Sequence, residues 1–436
     1  MAMTFDDDAA LARESDDGIR AFVAVGPDED VARRGTRGLG TMRDADEDAS
    51  TTFTFRGAVG PRIVASSSTS SVLSLVPFSM VCPFANVATN ARDVPLVVVM
   101  HPSYSSAVSM ERTLARYAAR LRCIVVSFDA PHHGARGVGN EDVLGDIARG
   151  GAMACDVGEL ERRATAGYAA ALVDCYARND ANAYGRRPYI VDGAVDCLRV
   201  CRALCEKFGV RRVGLTGVSL GGMMATTAAA RWSAAWASSG ALDWTVVACA
   251  PMIGFSDFRW ALLHDSWRAR IMSLPSEMRD VVFEDGERPT VEETFEFWTR
   301  ALSGIVTRST DDFDDAGDGG DNLLRILHNG IDFLAVQGDE DERNPMRGVE
   351  AALARCARLS ETRGPHASTI SVVAQRNIGH DVTDAMHDVV HAFLAERIWH
   401  RDVAPKMSSV EAAFEPSELN LDGWRVLTFD THPKLA

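Results

Sequence analysis

One stretch limits what this chain can fold into more than any other: Arg212-Val213-Gly214-Leu215-Thr216-Gly217-Val218-Ser219-Leu220-Gly221-Gly222-Met223-Met224-Ala225. A short apolar run leads into a cluster of small residues, and an alanine-rich helical run, Met223 to Trp232, follows. The pattern reads as strand, sharp turn and helix, with Ser219 at the apex of Gly217-x-Ser219-x-Gly221. A serine that attacks a carbonyl must stand clear of the backbone with its hydroxyl exposed. Such a turn strains the serine's dihedrals, and glycine two residues to either side removes the Cβ atoms that would collide there. The amide of Leu220 then lies at a helix N-terminus, where unpaired N–H groups receive developing negative charge.

The surrounding rhythm fits this turn. Leu96 to Met100 is a continuous apolar run, as expected of a strand buried on both faces. A helical segment, Ser109 to Leu121, and a second such strand, Cys123 to Phe128, complete a βαβ unit and predict a parallel sheet. Helical patterns follow over Leu160 to Ala177 and Asp192 to Phe208, then the serine turn, then a strand over Trp244 to Ala250. The alternation resumes with strands at Phe333–Gln337 and Thr369–Ala374 and helices at Gly348–Leu359 and Thr383–Ile398. Upstream, Thr52–Phe55, Arg62–Ala65 and Val72–Cys82 read as edge strands, the last because it contains Pro77.

Three segments fall outside this pattern. Residues 1–50 are rich in Asp, Glu, Arg and Gly, which predicts a largely disordered segment in which only Ile19–Val25 docks. Residues 251–330 carry several aromatics and end in the Asp/Gly-rich stretch Asp311–Asp321, which predicts a helical cap over the sheet followed by a flexible connector. Residues 401–436 read as a tail, attached to the body, if at all, through Trp424 and Phe429. The expected organisation is therefore one α/β domain over 51–400, with the insertion inside it.

Composition narrows the partners. A formal net charge of −16 argues against non-specific nucleic-acid binding, and no apolar run is long enough to span a membrane. The acidic start, Met1 to Asp8, lacks the basic and apolar parts of a secretory signal. Nine scattered cysteines, an odd number, favour reduced thiols and a cytoplasmic location over a disulfide framework. Cys197, Cys201 and Cys205 recur every four residues on a helical segment and read as a packing seam rather than a metal cluster.

A serine hydroxyl needs a base, normally a histidine held in one tautomer by a carboxylate. With a strand–serine–helix turn of this type, the order along the chain should be serine, acid, histidine, the last two in loops after late strands. Gly338-Asp339-Glu340-Asp341 and Asn377-Ile378-Gly379-His380-Asp381 stand in those places. His380 is the expected base and Asp341 the expected acid, with Asp339 as rival. A second oxyanion donor is expected from the loop after Met100; Pro102 has no N–H, which leaves the amide of Ser103 or Tyr104. His101, Phe255, Phe258 and Trp260 are expected to line the substrate pocket. His132 and His133 have no partner at metal-ligand spacing and read as loop-shaping residues.

These residues together resemble the α/β-hydrolase superfamily, in its dienelactone-hydrolase and prolyl-oligopeptidase-like branch. The likeness rests on His101-Pro102-Ser103, Asp129-x-Pro131-x-His133-Gly134-x-Arg136, Asp192-x-x-x-Asp196 and Gly217-Val218-Ser219-Leu220-Gly221-Gly222-Met223. It continues through Pro251-x-Ile253-Gly254-x-x-x-Phe258-Arg259-Trp260-Ala261, Gly338-x-x-Asp341-x-Arg343-x-Pro345 and Gly379-His380, and covers roughly residues 90–400. The resemblance implies an eight-stranded, mostly parallel sheet flanked by helices and a Ser219–His380–Asp341 triad. The expected activity is a serine hydrolase that needs no metal or cofactor, acting on small-molecule carboxylic esters or thioesters because esters need less help at the leaving group than amides. A peptidase or acyltransferase on the same fold, and a ligand-binding homologue without catalysis, are the alternatives. The oligomeric state is left open.

Overall fold

The computed structural model describes residues 18–25, 52–60, 75–83, 94–137, 189–232, 244–257, 260, 264, 318–360, 368–399 and 423–429. Ten strands form one sheet: β1 (Gly18–Val25), β2 (Phe53–Gly60), β3 (Val76–Cys82), β4 (Leu96–Met100), β5 (Ile124–Phe128), β6 (Arg212–Val218), β7 (Thr245–Met252), β8 (Asp332–Gly338), β9 (Ile370–Gln375) and β10 (Trp424–Phe429). Their spatial order is β1-β2-β3-β5-β4-β6-β7-β8-β9-β10. The six strands from β5 to β9 run parallel, with antiparallel pairs only at the two ends. The sheet is thus the expected mostly parallel one, enlarged from eight strands to ten.

The described helices are α1 (Glu111–Leu121), α2 (Tyr189–Phe208), α3 (Leu220–Arg231), α4 (Asp318–His328), α5 (Met346–Ser360) and α6 (Asp384–Ile398). Helices α1 and α6 pack on each other and on one face of the sheet, while α2, α3 and α4 pack together on the other, with α5 against α4. Sandwiching explains the apolar runs Leu96–Met100 of β4 and Ile124–Val126 of β5, strands in which every residue is buried. Each fully buried aliphatic side chain there contributes about 1.5–3 kcal/mol relative to exposure. On the α6 side, Gly214 of β6 leaves room for Leu394 and Ile398, whose methyl groups would lie 3.1 Å from an added Cβ.

Three expectations need correction. Strand β3 is interior, between β2 and β5, and wholly buried. Pro77 is tolerated because only Phe78 to Val81 pair with β5, so its missing N–H falls outside that run. Residues 401–436, expected as a tail, contribute a strand, β10, which pairs antiparallel with β9, while β1, antiparallel to β2, covers the Ile19–Val25 stretch expected to dock. Trp424 and Leu427 of β10 pack against the core, as half expected of the tail. The acidic connector is helical from Asp318 onward, and Leu323, Leu324, Ile326 and Leu327 bury one face of α4. Of the insertion expected over 251–330, residues 251–257, 260, 264 and 318–330 are described; the rest of it, like Arg62–Ala65 and Leu160–Ala177, falls outside the described residues.

Candidate active site

The parallel strands bring the chemistry to one end of the sheet. Met100 of β4 pairs with Gly217 of β6, and Val218 with Met252 of β7. Gln337 of β8 pairs with Ala374 of β9. The loops leaving these strands carry His101–Tyr104, Ser219, Ile253–Phe255, Asp341 and His380.

Ser219 occupies the turn between β6 and α3 with φ 51° and ψ −113°, a region that side-chain-bearing residues rarely adopt. Backbone hydrogen bonds hold the turn. Ser219 N–H donates to Met252 O at 2.9 Å, and Ser219 O accepts from Met223 N–H at 3.0 Å. Glycine is needed where chain crosses chain: a Cβ on Gly221 would lie 2.2 Å from Met100 O, and one on Gly254 would lie 2.2 Å from Ser219 O.

The side chains then form a relay. Ser219 Oγ lies 2.8 Å from His380 Nε2, and His380 Nδ1 lies 2.8 Å from Asp341 Oδ2. Since the carboxylate can only accept, Nδ1 carries the ring proton and Nε2 is left to accept the serine O–H. Asp341 is buried, and its other oxygen accepts the N–H groups of Arg343 at 2.8 Å and Asn344 at 3.0 Å. Asp339, the rival, is turned to the neighbouring loop, where it accepts Asn377 N–H at 2.7 Å. A strained serine at a strand–helix turn, with its histidine and acid delivered by the next strands of a sheet in this order, decides the architecture. The chain has the α/β-hydrolase fold.

Residues 182–276, which carry α2, the elbow and β7, match the prolyl oligopeptidase family. Similar solved structures include a cold-adapted esterase from an Arctic intertidal metagenomic library, at 12% identity and TM-score 0.38 over 83% of this chain and 99% of that one. The rice cell wall degrading esterase of Xanthomonas oryzae aligns at 11% identity and TM-score 0.42, over 87% and 96%. A carboxylesterase study of Nitrososphaera gargenis supplies a third, at 14% identity and TM-score 0.38, over 74% and 94%. No curated protein sequence matches this chain.

The remaining site residues divide sharply. Leu220 begins α3, so its N–H is one of those a helix leaves without an internal partner. Tyr104 is not available as an oxyanion donor: its N–H donates to His133 Nε2 at 3.0 Å. Ser103 is the remaining candidate on that loop. His101 does not line a pocket. It is fully buried, its Nε2 accepting from Ala130 N–H at 3.1 Å and its Nδ1–H donating to Pro102 O at 2.8 Å. Burial pushes its pKa down to about 4. Phe255 is a core residue, packed edge-on against Phe333 with ring centroids 5.0 Å apart. Trp260 is half-buried, its backbone N–H donating to Asp257 Oδ1 and its ring stacked on His264 at 4.3 Å. Phe258 lies outside the described residues.

Two structural roles were not anticipated. Asn344 bridges the acid loop to the segment under the nucleophile, donating from Nδ2 to Ile253 O at 2.6 Å. Asp129 anchors two loops at once, accepting Ala107 N–H at 2.7 Å on one oxygen and Ala135 N–H at 2.8 Å on the other. Burial raises its pKa to about 6 in spite of those hydrogen bonds. Both residues stand within or beside the motifs quoted above, but a motif carries no direction, so their partners could not be read from it.

Proposed function

We propose that this protein is a serine hydrolase that works through an acyl-enzyme, with Ser219, His380 and Asp341 as its catalytic residues. The observation that carries the reading is the unbroken relay from Ser219 Oγ through both ring nitrogens of His380 to a buried carboxylate. In this reading Ser219 Oγ bonds to the substrate carbonyl carbon as its proton passes to His380 Nε2. The carbonyl π electrons move to oxygen, and the Leu220 and Ser103 N–H groups receive the oxyanion. Collapse breaks the bond to the leaving group, which takes the proton from Nε2. Water then repeats the sequence and releases the acid. Asp341 keeps the proton on Nδ1 and stabilises the imidazolium formed midway.

A carboxylic ester or thioester is the proposed bond, because such leaving groups depart with less help than an amine. Peptide-bond cleavage is the second reading, favoured by the prolyl oligopeptidase match over the elbow. The described cysteines are all free, in keeping with a cytoplasmic site of action. Among the described residues no helix is long and apolar enough to cross a membrane.

The test is a fluorophosphonate probe together with p-nitrophenyl esters of increasing chain length and aminoacyl p-nitroanilides. The wild type should label at Ser219 and turn over esters, and Ser219→Ala should lose both by about 10⁴-fold or more with unchanged unfolding. Faster turnover of the anilides selects the peptidase reading. A folded wild type that neither labels nor hydrolyses is a binding protein.

A further inference from the structure

The loop after β4 is held from outside itself. Three ties come from the segment that follows β5: Asp129 accepts Ala107 N–H, Ala130 N–H donates to His101 Nε2, and His133 Nε2 accepts Tyr104 N–H. The same loop sits against the elbow, since the carbonyl oxygens of Met100 and His101 would lie 2.2 Å and 2.7 Å from a Cβ on Gly221.

Its two consecutive peptide planes face opposite ways. The Pro102 carbonyl turns inward to His101 Nδ1–H, so in a trans peptide the Ser103 N–H of that unit points away from the buried ring. In the next unit it is the N–H, that of Tyr104, which turns inward to His133. Tyr104, whose N–H closes the second unit, stands at φ 62°, a conformation that needs an outside hold on a non-glycine residue. His133 can supply it because its tautomer is fixed. Nε2 accepts from Tyr104, so Nδ1 carries the proton and lies 3.1 Å from Pro131 O and 2.6 Å from Tyr189 Oη on α2. The ring is fully buried, and Gly134 beside it, at φ 53°, leaves no space for a Cβ against the Asp129 carboxylate.

We infer that His133 is a positioning residue for the proposed hydrolysis: its Nε2 locks the Tyr104 peptide so that the preceding Ser103 N–H faces the oxyanion. It touches no reacting atom. It spares the loop a reorganisation that would otherwise fall in the transition state. The inference rests on the serine-hydrolase reading.

The discriminating variants are His133→Leu, which removes the acceptor, and His133→Gln, whose side-chain oxygen reaches the Nε2 position. His133→Leu should lower kcat for a p-nitrophenyl ester about 10- to 100-fold with KM within about threefold, since only the transition state carries the oxyanion. It should raise the inhibition constant of an alkyl trifluoromethyl ketone, which forms the tetrahedral adduct, by the same factor. His133→Gln should recover most of both. Thermal unfolding reports whether each variant folds. Where His133→Leu does not fold, His133→Asn, whose oxygen falls short of Tyr104, takes its place, and equal kcat in the Gln and Asn variants overturns the inference. A folded His133→Leu with wild-type kcat and ketone affinity overturns it as well, while leaving the hydrolase reading intact. A wild type inert to fluorophosphonate and esters removes the reading and the inference together.

Discussion

The two loops that would receive the oxyanion are built by opposite means. The elbow is shaped by missing side chains: Gly221 and Gly254 let backbone touch backbone, and main-chain hydrogen bonds hold the Ser219 backbone. The loop after β4 is shaped by buried polar side chains, with His101, Asp129 and His133 each accepting a backbone N–H. A contact made by backbone tolerates no added atom, because neither partner can rotate away. A contact made by a side chain fails by degrees, according to how many hydrogen bonds are lost. The acid loop mixes the two. A Cβ on Gly338 would lie 2.3 Å from the carbonyl oxygens of Ile378 and Gly379, while Asn344 clamps the same loop by its amide.

That contrast can be tested from its strongest point downward. At the acid loop, Asp341→Asn keeps the shape but invites the wrong histidine tautomer. Ester kcat should drop by about 10⁴, or about 5.5 kcal/mol of barrier, with little change in unfolding. Asp339→Asn should stay within about tenfold, because Asp339 holds Asn377 and not His380. Exchanged behaviour in these two variants would overturn the assignment of the acid.

Gly221→Ala places a carbon against the Met100 carbonyl and should cost about 4 kcal/mol or more of stability, or prevent folding. Chemical denaturation or soluble yield reads this, and a soluble variant of wild-type stability would break the comparison on the elbow side. Asp129→Asn should cost less, about 1–3 kcal/mol, because one of its two backbone acceptors becomes a donor facing an N–H. If it costs more than Gly221→Ala, the ranking of the two loops is reversed.

The smallest effect is that of pH. Burial holds His101 and His387 down to about 4, and His133 and His391 well below their ordinary value. His387 and His391 face Tyr117, Arg116 and Arg120 of α1 and Asp388 of their own helix, α6. A histidine with a lowered folded pKa binds its proton more readily when unfolded. Its contribution is complete above about pH 6.5 and is lost as pH falls toward 4. Asp129 works the other way, since its raised pKa relieves a buried charge as pH falls below about 6. The four histidines outnumber it, so the unfolding temperature should be flat above pH 7 and decline from about pH 6.5 downward. A flat profile down to pH 4 would show that these side chains are less enclosed than described.

Much of this was legible in the residues. Doubly buried strands announce themselves as unbroken apolar runs, and Leu96–Met100 was read to the residue. The serine turn was legible because sterics force glycine around it, and the acid and histidine because strand order fixes their sequence along the chain. Pro77 misled, because a proline signals a missing donor without saying on which side the donor is needed. Helix α4 was hidden by the acidic stretch at its start, although the spacing of Leu323, Leu324, Ile326 and Leu327 carried the helical period. His101 and Phe255 were misplaced for a common reason. Residue type and loop position say that a side chain is near the site, but not whether it faces the substrate or the core.

The strands at the two ends of the sheet bear on how this chain can be shortened. Composition invites trimming at about residue 50 and residue 400, yet β1 and β10 lie beyond those cuts and cover β2 and β9. Removing both leaves Phe53–Gly60 and Ile370–Gln375 with a row of unpaired N–H and C=O groups each. Such rows are templates for strand addition from another molecule. The trimmed protein would keep Ser219, Asp341 and His380 and still be prone to aggregate. A shortened chain for crystallisation or display should therefore begin before Gly18 and end after Phe429.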